Sequence, residues 1–340
     1  MTTRAVVFVT DRGFVFPTMV AASQVRAQVT PDEAAIIIYF IDMELAEITA
    51  LEQDFAARGF QFVRLDSKEY LRDDTSFNKT HVPTSTLGRL ALYPYLPSNA
   101  EHIVYIDGDT FMAGDIRPLL GLDVPPGMIA AANDSPWIYD GDGGSYWEGT
   151  RAYLDGIGIG DSRDYFNAGV LAFRRESWKD IAAEALAYFV ENSERCRYHD
   201  QSALNAVCRG RRLVVSPCYN FITDYALVGA HNLCQPRLLH FTGGMKPWHF
   251  FGFPWYDRFK SDYEAHRRSF PSLGAYFKPL SAQQHAALTK ERNRNVLTAR
   301  YVLPWRRLKR RARFKDYQQS AHFDLPATAS ESDLTLQTAL

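Results

Sequence analysis

The sequence has no run approaching 18 consecutive apolar residues, so nothing in it reads as a membrane-spanning helix. Cysteine is scarce. Cys196, Cys208, Cys218 and Cys234 lie 12, 10 and 16 positions apart with no CxxC pair, a pattern that fits free thiols in a reducing compartment rather than a disulfide frame or zinc site. The N-terminus runs directly into the strand-like AVVFVT, which predicts a cytoplasmic protein without a signal peptide. Net charge is nearly absent too: at −1 overall with 23% charged residues, the chain fits neither global disorder nor a uniformly basic nucleic-acid binder. No repeat of fixed period is visible. The segment TDRGFVFP after the first strand-like run holds one glycine, which argues against the phosphate cradle of a nucleotidyltransferase.

What the chain does have is apolar and aromatic mass. Its 340 residues are 46% hydrophobic and 14% aromatic, enough to bury a large core. Charge is segregated: residues 290–315 hold eleven Lys or Arg against one Glu, a local net of +10 that leaves −11 for the rest. We read 1–285 as one α/β domain, 286–318 as a basic amphipathic extension, and 319–340, rich in Ser, Thr and Ala, as disordered. The pattern predicts strands over 5–10, 35–41, 61–65 and 103–106, with a helix opened by Pro17 and another over about 44–58 ended by Gly59. Ligands of such open α/β sheets gather beyond the C-terminal ends of the strands. Residues 134–165, rich in Gly, Asp and aromatics, read as a loop over that edge. Strands at 169–173, 213–216 and 237–241 and helices at 178–191 and 201–208 complete the pattern.

The apolar run IVYI ends in Asp107-Gly108-Asp109. Two carboxylates flanking a glycine that permits a tight turn can hold one hard divalent cation against a phosphate, although Asp-rich surface turns are common. His240, at the end of another strand-like run, can complete such a site or sit as a satisfied core histidine. Gly243 and Gly244 allow backbone to approach a phosphate, and Lys246 offers the charge that a departing diphosphate needs. Other positions have ordinary alternatives: Asp11 as a helix cap, Arg89 as a surface residue, Asn167-Ala168-Gly169 as a turn, and the aromatic run 248–255 as core packing instead of a sugar platform.

In order along the chain, YIDGDT, YFNAGVLAF, HDQSALN and HFTGGMKPW resemble glycosyltransferase family 8, the retaining nucleotide-sugar transferases that include bacterial lipooligosaccharide galactosyltransferases and glycogenin. The resemblance covers about residues 4–260. It implies a single GT-A-like nucleotide-sugar-binding domain with a mixed central sheet. The implied reaction is metal-dependent transfer of a hexosyl group, with retention, from a UDP-sugar (UDP-galactose or UDP-glucose) to a glycan or glycolipid acceptor in surface polysaccharide or lipopolysaccharide synthesis. It further implies that Asp107, Asp109 and His240 hold Mn2+ or Mg2+ on the diphosphate, beside Gly108, Gly243 and Lys246. Asp11 and Phe14 would meet the nucleoside, and His81, Thr86 and Arg89 the nucleotide and sugar. Asp134, Asn167, Ala168, Gly169, Asp200 and Gln201 would form the sugar pocket. Gly13 stands where relatives often have Asn, and Ser202 departs from an acidic residue of some bacterial galactosyltransferases.

Gln201 falls where double displacement would need a carboxylate, and a neutral amide is a poor nucleophile. The reading is therefore same-face attack by the acceptor, with a diphosphate oxygen as base and Asp200 as the alternative positioning or covalent group. A non-catalytic nucleotide-sugar-binding or membrane-surface adaptor is the competing class, and the complete set of Asp107, Asp109, His240 and Lys246 argues against it. In the basic segment, Val296, Leu297, Tyr301, Val302, Leu303, Trp305, Leu308 and Phe314 interleave with arginines. This predicts two short helices broken at Pro304, lying on the anionic inner face of the cytoplasmic membrane; nucleic acid is not an expected partner. On that reading, truncation after about residue 285 leaves transfer to a soluble acceptor largely intact.

Overall fold

Strands β1 (Arg4–Thr10) and β2 (Ala35–Ile41) are unbroken apolar runs because both faces of the sheet are covered. In the computed structural model, which describes residues 3–69, 87–298, 301 and 304–327, Val6 and Phe8 enter one core and Ala5, Val7 and Val9 the other. The chain continues from β1 through α1 (Val15–Gln28), β2, α2 (Leu45–Asp54), β3 (Phe60–Leu65), β4 (His102–Ile106) and β5 (Thr110–Met112). Next come α3 (Arg117–Gly121), β6 (Ile129–Asn133), α4 (Pro136–Tyr139), α5 (Ser145–Gly156), β7 (Phe166–Arg174) and α6 (Arg175–Glu191). The last elements are α7 (His199–Val207), β8 (Arg212–Val215), β9 (Phe221–Ile222), α8 (Thr223–Leu227), β10 (Leu238–His240), α9 (Lys260–Ser269), α10 (Ala282–Leu297) and α11 (Pro304–Ser320).

The main sheet has the order β3-β2-β1-β4-β7-β6-β8. Its neighbours are parallel except at β7, which runs antiparallel to both β4 and β6, so the expected α/β fold with a mixed central sheet is the one observed. A smaller sheet, β5-β10-β9, carries His240 to the same edge. Packing of α6 on one face buries Trp178, Ile181, Ala185 and Phe189 against Leu171 and Phe173.

Two expectations need correction. Residues 134–165 are not one loop. Their glycine-rich portion, with Gly141, Gly143 and Gly144 all at positive φ, is only the turn between α4 and α5. Helix α5 buries Thr150 and Leu154 at i, i+4 and pairs Arg151 with Asp155 outside, a periodicity that the surrounding Gly, Asp and aromatic content masked.

The second half of the basic segment, moreover, packs on the fold. Phe314 of α11 is fully buried, its ring 5.8 Å from Trp137 and 5.0 Å from Tyr225. Arg310 and Arg313 both reach Asp142, at 2.6 and 2.8 Å. Beyond it, in the stretch expected to be disordered, Leu325 bridges to Val215 and its carbonyl accepts from Ser216 N at 3.0 Å. Pro304 does separate two helices as expected, being the first residue of α11, where its missing N–H leaves no helical bond unmade. Among the described residues no helix is long and apolar enough to cross a membrane.

Candidate active site

Strand β4 ends at Ile106, and the next residues turn under the mouth of the sheet. Gly108 does not have the positive φ of a tight glycine turn. Its role is close approach: a Cβ there would lie 2.0 Å from Thr18 Oγ1, on the first turn of α1. This contact holds the Asp107-Gly108-Asp109 turn against the first turn of α1. β10 brings His240 alongside, so that one ligand atom from each of Asp107, Asp109 and His240 lies within 4.8 Å of the others. Gly169 of β7 completes the crowding, because a Cβ on it would stand 2.2 Å from the His240 ring and 2.8 Å from Asp107 Oδ2.

A chain of hydrogen bonds fixes the histidine. Asp134 Oδ2 can only accept, so Asn167 Nδ2 donates to it at 2.9 Å. Asn167 Oδ1 then accepts from Gly169 N at 3.0 Å and from Asn220 Nδ2 at 2.8 Å. That leaves Asn220 Oδ1 to accept from His240 Nδ1 at 2.9 Å. The Nε2 lone pair consequently faces Asp109 Oδ1 at 3.2 Å and Asp107 Oδ2 at 3.8 Å. Three electron-rich atoms pointed together call for a proton or a metal cation among them, and two carboxylates with one imidazole suit Mn2+ or Mg2+. Asn220, fully buried, is a partner of His240 that sequence reading missed. Nothing in YNFIT signals it, since its importance lies in its partners on β7 and β10.

Lys246 Nζ donates to Asp109 Oδ2 at 2.6 Å and to the Phe241 carbonyl. Burial alone would raise Asp109, but Lys246, joined by His240 when its Nε2 carries a proton, holds it well below the usual carboxylate range. Gly243, at φ 80°, has open space where a Cβ would be, so backbone there can meet a phosphate. Phe14 is 40% exposed and meets Trp248 edge-on at 6.2 Å, with Lys246 Nζ 5.8 Å from its ring. Asp11 turns its Oδ1 to Gly13 N at 2.8 Å, leaving the carboxylate at the surface end of β1.

Arg89 is no surface residue. With its side chain 11% exposed, it reaches Asp107 Oδ1 at 3.2 Å, Asp200 Oδ2 at 2.6 Å without hydrogen-bond alignment, and the Ala168 carbonyl. Burial would lower its pKa, but Asp107 and Asp200 raise it. Asp200 is pushed up to about 6 by burial, against the pull of Arg89. The Gln201 amide is committed on both ends: Nε2 donates to Asp134 Oδ2 and Tyr165 Oη, each at 2.9 Å, and Oε1 accepts from Ala168 N at 3.0 Å. Ser202 is buried, its Oγ 2.7 Å from Tyr153 Oη and accepting from Tyr198 N at 2.9 Å, so the departure at this position is absorbed by the interior. Trp248, Phe250, Phe253 and Trp255 are buried, the two tryptophans against Phe241, which makes the aromatic run mainly core. His81 and Thr86 lie outside the described residues.

Comparison with known proteins gives the family and the fold. The model of the family described as Glycosyl transferase family 8 matches residues 5–252. A putative glycosyltransferase of Haemophilus influenzae is 27% identical over 228 residues, 63% of this chain and 64% of that protein. The lipopolysaccharide glucosyltransferase WaaO of Escherichia coli is 26% identical over 172 residues, 47% of this chain and 48% of that one. The chain thus spans between about half and two thirds of these relatives' lengths. Among solved structures, the galactosyltransferase LgtC in complex with donor and acceptor sugar analogues superposes with a TM-score of 0.59 at 22% identity, covering 84% of this chain and 99% of LgtC, a likeness of fold.

Proposed function

Because the chain belongs to glycosyl transferase family 8, we propose that it moves a hexosyl group from a UDP-sugar, UDP-galactose or UDP-glucose, to a glycan or glycolipid acceptor in surface polysaccharide or lipopolysaccharide synthesis. The observation that carries this reading is the convergence of Asp107, Asp109, His240 and Lys246 at one open edge of the sheet. A Mn2+ or Mg2+ ion held by the first three would, when bound, neutralise charge on the diphosphate. Lys246 supplies a second positive charge, and Gly243 lets backbone approach the leaving group. Asp134, Asn167 and Gln201, tied together by the Asp134 carboxylate, are placed to orient the sugar, and Asp11 and Phe14 to receive the nucleoside.

The state of the carboxylates favours same-face attack. Gln201 carries no charge and both ends of its amide are engaged, while Asp200 is 2% exposed and paired with Arg89. Asp200 is therefore read as positioning Arg89, which in turn holds Asp107 and the Ala168 carbonyl. The expected product from an α-linked donor is α-linked, as read by the anomeric proton of the first-formed product. A β-linked product, or no UDP release from either UDP-sugar with Mn2+ present, overturns the reading.

The outer surface of α10 and α11 supports peripheral attachment at the inner face of the cytoplasmic membrane. Leu297, Tyr301, Trp305 and Leu308 are 54, 73, 57 and 67% exposed amid the arginines, an arrangement in which apolar groups enter the headgroup boundary and guanidinium groups meet anionic lipid. The variant Trp305→Ala/Leu308→Ala is expected to lose most sedimentation with anionic vesicles while transferring to a soluble acceptor as the parent does. Equal sedimentation of parent and variant would remove this role.

A further inference from the structure

Helix α11 carries two kinds of arginine. Arg310 and Arg313 are neutralised by Asp142. Arg307 and Arg311, one turn apart, turn instead towards the end of α8 and have no carboxylate partner among the described residues. Arg307 Nε donates to the Leu227 carbonyl at 3.3 Å, at the C-terminal end of α8. The outer nitrogens of both side chains crowd Gly229: a Cβ there would lie 2.7 Å from Arg307 Nη2 and 3.5 Å from Arg311 Nη1. Gly229, at φ 76°, thus ends α8 and leaves room for two guanidinium groups.

Two more basic side chains face the same place. His231 follows in the turn Ala230–Asn232, and Arg258 comes from the loop ahead of α9. Burial, and then the charges of Arg258, Arg311 and Arg307, hold the His231 imidazole below its ordinary pKa. Among the described residues no carboxylate offsets them, and Arg258 has no acidic partner either. Like charges one helical turn apart destabilise a helix, and four basic groups gathered without an acid between them set up a positive potential that an anion relieves.

We propose that His231, Arg258, Arg307 and Arg311 form a binding site for a phosphomonoester dianion, using none of the residues of the candidate active site. The inference stands whether or not the chain transfers a sugar. The chemistry selects phosphate over a carboxylate. A phosphomonoester carries nearly two negative charges and three terminal oxygens, enough to engage guanidinium forks whose planar donors suit phosphate bidentately. A single carboxylate would leave most of the positive charge unbalanced. His231 and Arg258 are exposed and Arg307 and Arg311 half-buried, so a phosphate on a soluble molecule and one on a lipid headgroup both have access.

The test follows the His231 Hε1 resonance of the full chain, assigned with His231→Gln, during titration with inorganic phosphate. Phosphate is expected to raise the His231 pKa because it offsets the arginines that lower it, while chloride at equal ionic strength does so far less. Arg258→Gln and Arg311→Gln are each expected to weaken phosphate binding about tenfold, the size of one charge-assisted hydrogen bond. Arg258 lies outside α11, so its loss does not act through the packing of that helix. A second arm identifies the source: sedimentation with vesicles of phosphatidic acid, a phosphomonoester, against phosphatidylglycerol, a phosphodiester, at equal surface charge. A preference for phosphatidic acid that Arg258→Gln abolishes assigns the phosphate to a lipid headgroup; binding of free phosphate without that preference assigns it to a soluble molecule. A His231 response no larger than that to chloride overturns the proposal, and so does an equal response in the parent and both glutamine variants.

Discussion

Asp109→Asn is expected to lower kcat/KM for the UDP-sugar by about 10²- to 10³-fold, with Mn2+ affinity falling alongside. The substitution keeps the size of the side chain and removes one charge from a site where three residues converge within 4.8 Å. It also releases Lys246, whose 2.6 Å bond to Asp109 now aims its ammonium group. The two losses act on the same atoms, so they should not separate. Calorimetric titration of Mn2+ in the presence of UDP reports the first, and steady-state turnover the second. Unimpaired turnover by the variant, or by the parent in excess EDTA, would falsify the metal assignment.

Truncation after residue 285 is expected to unfold or severely destabilise the chain, the reverse of what charge count alone suggested. Helix α11 covers Trp137 and Tyr225 with the fully buried Phe314. Phe314→Ala alone is expected to lower stability by about 3–5 kcal/mol, the range for removing a buried aromatic side chain. Removing the whole helix also strips Arg310 and Arg313 from Asp142, a carboxylate with a 5% exposed side chain, and an uncompensated buried charge adds a further loss. Urea denaturation followed by fluorescence checks both. A Phe314→Ala midpoint equal to that of the parent would return α11 to the status of an appendage.

These expectations show where sequence reading reached and where it stopped. Asp107, Asp109 and His240 were legible because each lies at or just beyond the C-terminal end of a strand, where chemistry is sought in an open α/β sheet. The Asn167–Gly169 stretch was harder to place. It opens β7, and it reaches the same edge only because β7 runs antiparallel to β4 and β6, a reversal that apolar runs do not announce. β6, with the sequence IAAAN, has a single β-branched residue followed by three alanines, little of the signal by which strands are recognised. Asn220 had no local signal at all, and Arg89, expected at the nucleotide and sugar only through the family resemblance, gave no local sign of its two aspartate partners, which are distant in sequence. In the basic segment, counting arginines hid the one residue that decides its packing, Phe314.

The clamp of Arg310 and Arg313 on Asp142 has a consequence for how the molecule is made. Asp107, Asp109, His240 and Lys246 have all left the ribosome's decoding centre before residue 250, whereas the arginine that braces Tyr139 arrives some sixty residues later. A chain emerging from its N-terminus can thus assemble the strands that carry these four side chains while Tyr139 and Asp142 still lack the helix that backs them. Synthesis thus delivers the candidate site first and its outer support afterwards.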